Sequence, residues 1–285
     1  MTDEKESHVA FEARDGVPLV GRLFQAEAPV AAVLVAPATG VPARFYRHFA
    51  AAAAEAGVAA LMFDFRGLGE SLHGHVRDVD ANIEDWGRHD MPAALDALAE
   101  RVPGVPLHLV GHSAGGQLVG LMDNAERLGT VVQVAGSSGY FGGMGLRMRT
   151  LGRLLLRVYG PLAVRLRGYA PVRVLGWGED LPAGVALQWG EWCSTPGYVE
   201  SAFGRTVDRA AYDALRCRIV NVTATDDPIA TEANVEDLLR LFPNADITRV
   251  RLVPSDLGVP SIGHVGFFRP SLGAAWDDVF RDLKR

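Results

Sequence analysis

The chain reads as an α/β protein: a mostly parallel, doubly wound sheet of about eight strands that opens with an antiparallel hairpin and carries a helical insertion after its sixth strand. Three observations lead there. Short, continuously apolar runs alternate with helical patterns, as parallel strands buried on both faces require. The first two runs instead flank a tight Asp15-Gly16 turn. From Gly136 to about Tyr212 the alternation lapses, and then it resumes.

The elements follow in order. His8 to Ala13 and Leu19 to Phe24 form the hairpin. Ala31 to Ala36 is an apolar strand, and it ends in the breaker-rich loop Pro37-Ala38-Thr39-Gly40-Val41-Pro42. A helix from Arg44 to Ala56 is stopped by Gly57. Val58 to Phe63 is the next buried strand and runs into the loop Asp64 to Ser71. Glu84 to Arg101 is a helix, Val105 to Val110 a strand, and the small residues after Ser113 open another helix. Val131 to Val134 is a further strand. The insertion is placed at residues 137–212, as a cap on a core of residues 1–136 and 213–285. It holds a Gly-rich piece (Gly136 to Gly145), an Arg/Leu-rich helical piece (Leu146 to Arg167) and the tryptophans Trp177, Trp189 and Trp192. Cys217 to Thr223 (strand), Glu232 to Leu241 (helix), Ile247 to Val253 (strand) and Ala274 to Leu283 (helix) complete the core.

Composition narrows the function. With 285 residues, 48% of them hydrophobic and 22% charged, the chain can bury a large core. A net charge of −6 gives no footing for nucleic acid. Two cysteines, Cys193 and Cys217, form neither a disulfide framework nor a metal-ligand spacing. The start, Met1 to Glu6, is polar and lacks the apolar core of a secretory signal. No apolar run nears the roughly 18 residues of a membrane span. A cytoplasmic protein without a transmembrane segment is expected.

The segment Gly111-His112-Ser113-Ala114-Gly115 joins a strand to a helix. A serine at such a turn needs small residues two positions to either side, and Gly111 and Gly115 supply them. A serine hydroxyl also needs a base within hydrogen-bond reach, and that base needs an orienting acid. In an open α/β sheet these partners belong on loops at the carboxyl ends of later strands. Asp227, in Thr225-Asp226-Asp227-Pro228, is the expected acid, with Asp226 facing solvent. His264, between Gly263 and Val265-Gly266, is the expected base. An oxyanion needs two N–H donors. The Ala114 N–H is one, and the Thr39 N–H the other, with Ala38 or Gly40 as alternatives. His73 and His75 are candidates for the rim of the site. A His/His metal pair there would need further ligands, and none is evident, so neither a metal nor a cofactor is implied.

These residues resemble the α/β-hydrolase superfamily over nearly the whole chain. The likeness rests on the serine turn, on Asp64-x-Arg66-Gly67-x-Gly69-x-Ser71, on Asp227 after the seventh strand, and on Gly263-His264. Ala38-Thr39-Gly40-Val41-Pro42, Gly263 to Arg269 and Trp189-x-x-Trp192-Cys193 are similar to a bacterial group of serine-aminopeptidase-like hydrolases. The chain has Pro37-Ala38 where many relatives carry His-Gly. The resemblance implies a metal-free Ser113-His264-Asp227 mechanism acting on an ester, thioester, amide or lactone. An acyltransferase or cyclase using the same acyl-enzyme is one alternative. A non-catalytic binding protein on the same fold is another.

The insertion is expected to roof the serine and choose a small-molecule acyl substrate. Gly40, His112, Tyr140, Phe141, Met144, Trp189 and Trp192 are the candidate substrate contacts, with Trp177 a further aromatic nearby. From Met144 to Leu175 the chain carries seven arginines and no acidic residue. One reading is a solvated basic face over a core-facing leucine stripe. The other is a face for an anionic partner: coenzyme A, an acyl carrier protein, an acidic substrate or a membrane surface.

Overall fold

The alternating apolar runs become one eight-stranded sheet in the computed structural model, which describes residues 6–285. The polar stretch Met1–Lys5, noted above for lacking a signal's apolar core, lies outside the described residues. The strands are β1 (Glu6–Glu12), β2 (Pro18–Phe24), β3 (Ala31–Ala36), β4 (Val58–Phe63), β5 (Leu107–His112) and β6 (Leu128–Val134). Two short strands follow, β7 (Tyr169–Ala170) and β8 (Leu181–Pro182), then β9 (Arg218–Ala224) and β10 (Asp246–Leu252). The sheet order is β1-β2-β4-β3-β5-β6-β9-β10. β1, β2 and β4 pair antiparallel, and every other pairing in this sheet is parallel.

β3 shows why the central strands are apolar throughout. Leu34 sits opposite Leu61 of β4 and Leu109 of β5. Ala32, Leu34 and Ala36 face one core, and Val33 and Val35 face the other. The helix Met91–Arg101 covers the first face; the helices Arg47–Glu55 and Gly273–Leu283 cover the second. From β3 the chain crosses to β4 on one side, and from β4 to β5 on the other. The reversal leaves a crevice beyond the carboxyl ends of β3 and β5, the place where open α/β sheets bind ligands.

Some boundaries differ from expectation for local reasons. β5 begins at Leu107 rather than Val105, because Pro106 has no N–H for the ladder. The helix after Ser113 is short, Ala114–Gln117 followed by a tighter turn at Leu118–Leu121. Gly115, Gly116 and Gly120 make this a poor helix. At Gly120 a Cβ would come within 2.5 Å of the Tyr212 ring, so packing requires the glycine.

Between β6 and β9 the chain leaves the main sheet. Leu146–Arg153, a widened turn at Leu154–Tyr159, and Gly160–Arg167 form one continuous helical run. The β7–β8 ribbon and the helix Ala183–Trp192 follow. The ribbon was not expected from the sequence, since two-residue strands carry no periodicity. No helix among the described residues is long and apolar enough to cross a membrane.

Candidate active site

Four strand ends converge on the crevice. β5 delivers Ser113, which sits at φ 48° and ψ −110°, in the left-handed half of conformational space. A non-glycine residue held there stores about 1–3 kcal/mol of strain. The surroundings enforce it. The Ser113 N–H donates to the Val134 carbonyl (2.9 Å), and its carbonyl accepts from Gly116 and Gln117 (3.0 Å each). The flanking glycines are obligatory. A Cβ on Gly111 would lie 2.4 Å from the Gly116 nitrogen, and one on Gly115 would lie 2.3 Å from the Ala36 carbonyl oxygen.

β9 delivers Asp227, and the loop after β10 delivers His264. His264 Nε2 lies 3.0 Å from Ser113 Oγ, and its Nδ1 lies 2.8 Å from Asp227 Oδ2. The other Asp227 oxygen accepts from the N–H groups of Ile229 (2.8 Å) and Ala230 (2.9 Å). Burial alone would raise this carboxyl. The His264 imidazole and the two N–H donors outweigh it and hold Asp227 below the ordinary carboxylate range. It therefore stays ionised beside the imidazole.

Asp226 is exposed, as expected, yet it is not idle. Its carboxylate accepts from the N–H groups of Ile262 (2.9 Å) and Gly263 (3.0 Å), which ties the histidine loop to the acid loop. An adjacent acidic pair was the only sequence signal for it.

β3 delivers the loop Pro37–Gly40. The Ala38 N–H is taken by the Tyr46 hydroxyl (2.9 Å), which removes it as an oxyanion donor. The Gly115 N–H goes to the Pro37 carbonyl (3.1 Å). Those of Thr39, Gly40 and Ala114 have no protein acceptor among the described residues.

His112 is a correction. It was expected to touch substrate, but it is wholly buried beneath the site. Its Nε2–H donates to the His264 carbonyl (2.9 Å), so its Nδ1 is the free acceptor, and Tyr46 Oη–H donates to it (2.8 Å). Burial pushes its pKa down to about 3 and keeps the ring neutral. A continuous buried chain of hydrogen bonds thus runs from Ala38 through Tyr46 and His112 to the backbone of His264. Nothing in the sequence marked Tyr46 for this part.

The arrangement can be set beside known proteins. The model of the Alpha/beta hydrolase family matches residues 32–276. The chain belongs to the alpha/beta hydrolase family. No curated protein sequence matches it. Among solved structures it is similar to the esterase domain of a Rhodothermus marinus protein (TM-score 0.62, 18% identity, covering 98% of each chain). It is also similar to a soluble variant of monoglyceride lipase from Saccharomyces cerevisiae with a substrate analog (TM-score 0.67, 14% identity, 96% of this chain and 93% of that one). A third is a thermostable carboxyl esterase from Bacillus coagulans in complex with glycerol (TM-score 0.64, 12% identity, 98% and 99%). At these identities the likeness extends to the fold.

In this alpha/beta hydrolase Ser113, His264 and Thr39 border a cavity of about 330 Å³ with largely apolar walls. Of the expected contacts, Phe141, Met144 and Trp189 line it. Gly40, Tyr140 and Trp192 do not. Gly40 is covered by the loop Trp177–Glu179, and its carbonyl accepts from Glu179 (2.7 Å). The Tyr140 ring is folded back over Gly142. Trp192 is buried edge-on against Tyr198, 4.9 Å between centroids. Met148 and Leu156 line the cavity and were missed. With Gly152 they share one helical face at four-residue spacing, a signal masked by the arginines around them.

Two other motifs are architectural. Asp64 accepts from the N–H groups of Ala43 (2.7 Å) and Glu70 (3.0 Å), while Arg66 is clamped between Asp15 and Asp90. His73 bonds the Pro18 carbonyl and His75 packs on Tyr169; neither lines the cavity.

Proposed function

We propose that this chain is a serine hydrolase that cleaves a carboxylic ester, or a thioester, amide or lactone, through an acyl-enzyme. One observation carries the reading: Ser113, His264 and Asp227 are joined by hydrogen bonds of 3.0 and 2.8 Å on the wall of an apolar cavity. Ser113 Oγ attacks the acyl carbon while His264 Nε2 takes the hydroxyl proton. The carbonyl π electrons move to oxygen, and the N–H groups of Ala114 and Thr39 hold the oxyanion. Thr39 is preferred to Gly40 because it borders the cavity. The tetrahedral intermediate collapses, the acyl–leaving-group bond breaks, and His264 returns the proton to the departing atom. Water then repeats the sequence and frees the acid. Asp227, ionised throughout, holds the imidazole and stabilises its charged form.

Residues 137–212 act as a cap on the core of residues 1–136 and 213–285. Support comes from the cavity roof, to which this stretch contributes Phe141, Met144, Met148, Leu156 and Trp189. Such walls suit a small-molecule substrate with an apolar acyl group.

Labelling by a fluorophosphonate, together with hydrolysis of esters of graded acyl length, tests the proposal. Ser113→Ala should abolish labelling, and Ser113→Ala or His264→Ala should each lower kcat by about 10⁴–10⁶. A wild-type chain that neither labels nor turns over any ester would point instead to a binding protein. Products formed with added alcohols or amines separate hydrolysis from acyl transfer.

A further inference from the structure

The helical run Leu146–Arg167 has two apolar faces. Met148, Gly152 and Leu156 point into the cavity. The opposite face, which the sequence suggested would be a solvated basic surface, carries Leu151, Leu154, Val158, Leu162 and Leu166, all exposed. At regular helical pitch a four-residue spacing drifts around the axis; the widened turn at Leu154–Tyr159 offsets part of that drift within the stripe. Val174, Leu175 and Trp177 add further exposed apolar surface, and Trp177 also lines the cavity wall. Of the 13 large apolar side chains exposed among the described residues, nine fall within residues 146–177, so the patch is concentrated there.

Cations flank the stripe. Arg147, Arg153, Arg157, Arg165, Arg167 and Arg173 are exposed and have no carboxylate partner among the described residues. Elsewhere Arg14, Arg22, Arg47, Arg66 and Arg240 each hold a carboxylate. Unpaired arginines beside an exposed leucine stripe, on a helix too charged to span a bilayer, match an element that lies in a membrane interface.

We propose that this face docks on an anionic lipid surface, the stripe and Trp177 entering the headgroup boundary and the arginines meeting lipid phosphates and carboxylates. Charge decides the occupant. A second copy meeting this face with its own would set like charges against each other, whereas an anionic bilayer neutralises them. Position agrees, since Trp177, exposed within the same patch, also lines the cavity wall and would bring the cavity close to a source of apolar substrate. The surface stands apart from the catalytic reading, so its test does not depend on turnover.

Ser113→Ala protein should co-sediment with phosphatidylcholine vesicles containing about a third phosphatidylglycerol, not with phosphatidylcholine alone, and should be released by about 0.5 M salt. The triple variants Leu154→Gln/Val158→Gln/Leu162→Gln and Arg153→Gln/Arg157→Gln/Arg165→Gln should each weaken binding by about tenfold or more. In the otherwise wild-type chain both should keep the parent melting temperature and the same rate on a water-soluble short ester. Equal binding to neutral vesicles, or triple variants that bind like the parent, would overturn the proposal. So would a dimer that the leucine variant dissolves, which assigns the stripe to a second copy. Binding of coenzyme A or acyl carrier protein without vesicle binding, lost only in the arginine variant, would overturn it too.

Discussion

Tyr46→Phe isolates the buried relay that couples the loop after β3 to the histidine loop. The substitution keeps the ring, which packs edge-on against Phe268 at 4.7 Å, and removes one oxygen. That oxygen serves both the Ala38 N–H and His112 Nδ1. Tyr46 and His112 are fully buried and Ala38 nearly so, so water cannot replace the lost partner. Orphaning a buried polar group costs about 1–3 kcal/mol, and here two are orphaned by one change, which gives about 2–6 kcal/mol. At about 2–3 °C per kcal/mol in a chain of this size, the melting temperature should fall by about 4–18 °C. Thr39 follows Ala38, so loosening this loop should lower kcat by about tenfold while KM moves little. Circular-dichroism melts and steady-state kinetics on one soluble ester supply both readings. The double variant Tyr46→Phe/His112→Phe should cost less than the sum of the single changes, because it removes both members of one bond. A melting point within about 1 °C of wild type together with an unchanged kcat would refute the relay.

Three further outcomes follow from the same geometry. His112 is held neutral with its pKa near 3, whereas the unfolded chain protonates it at about 6.5, so its contribution is full above pH 6.5 and stability falls as the pH drops toward 3. The difference reaches about 2 kcal/mol at pH 5, and denaturant melts at pH 7.5 and pH 5 should show it in wild type but not in His112→Phe; identical slopes would disprove it. Asp226→Ala should lower kcat/KM by about tenfold with all three hydrogen-bonded site residues in place, since two N–H groups of the histidine loop lose their acceptor. Gly115→Ala drives a Cβ into the Ala36 carbonyl and should cost more than about 3 kcal/mol or abolish soluble expression, and a variant that melts like wild type would contradict the packing drawn for the turn.

The parallel strands were legible because burial on both faces leaves little choice but an unbroken apolar run, as in Ala31–Ala36 and Val58–Phe63. Ser113 and Asp227 were legible because each stands just beyond such a run, Leu107–His112 and Arg218–Ala224, and His264 because it lies among glycines on the loop after the last strand. What escaped depends on a third dimension that spacing does not encode. Whether His112 reaches a ligand or a neighbouring backbone depends on where the loop after β10 lies, a matter of chain some 150 residues away. Leucines at helical spacing in Leu146–Arg167 announce an apolar face, and this run has two, pointing in opposite directions. Tyr46 belongs to a short helical turn with no pattern of its own, and only the folded site gives its hydroxyl two partners.

Ser113 and His264 lie 151 positions apart, and the sheet brings them together only when its last strand has been laid against its neighbour. At synthesis rates of about 5–20 residues per second, Ser113 leaves the ribosome roughly 8–30 seconds ahead of His264. During that interval the Ser113 hydroxyl has no imidazole beside it. On the proposed mechanism, closing the far edge of the molecule is what arms the hydroxyl, so labelling at Ser113 would report that folding is complete.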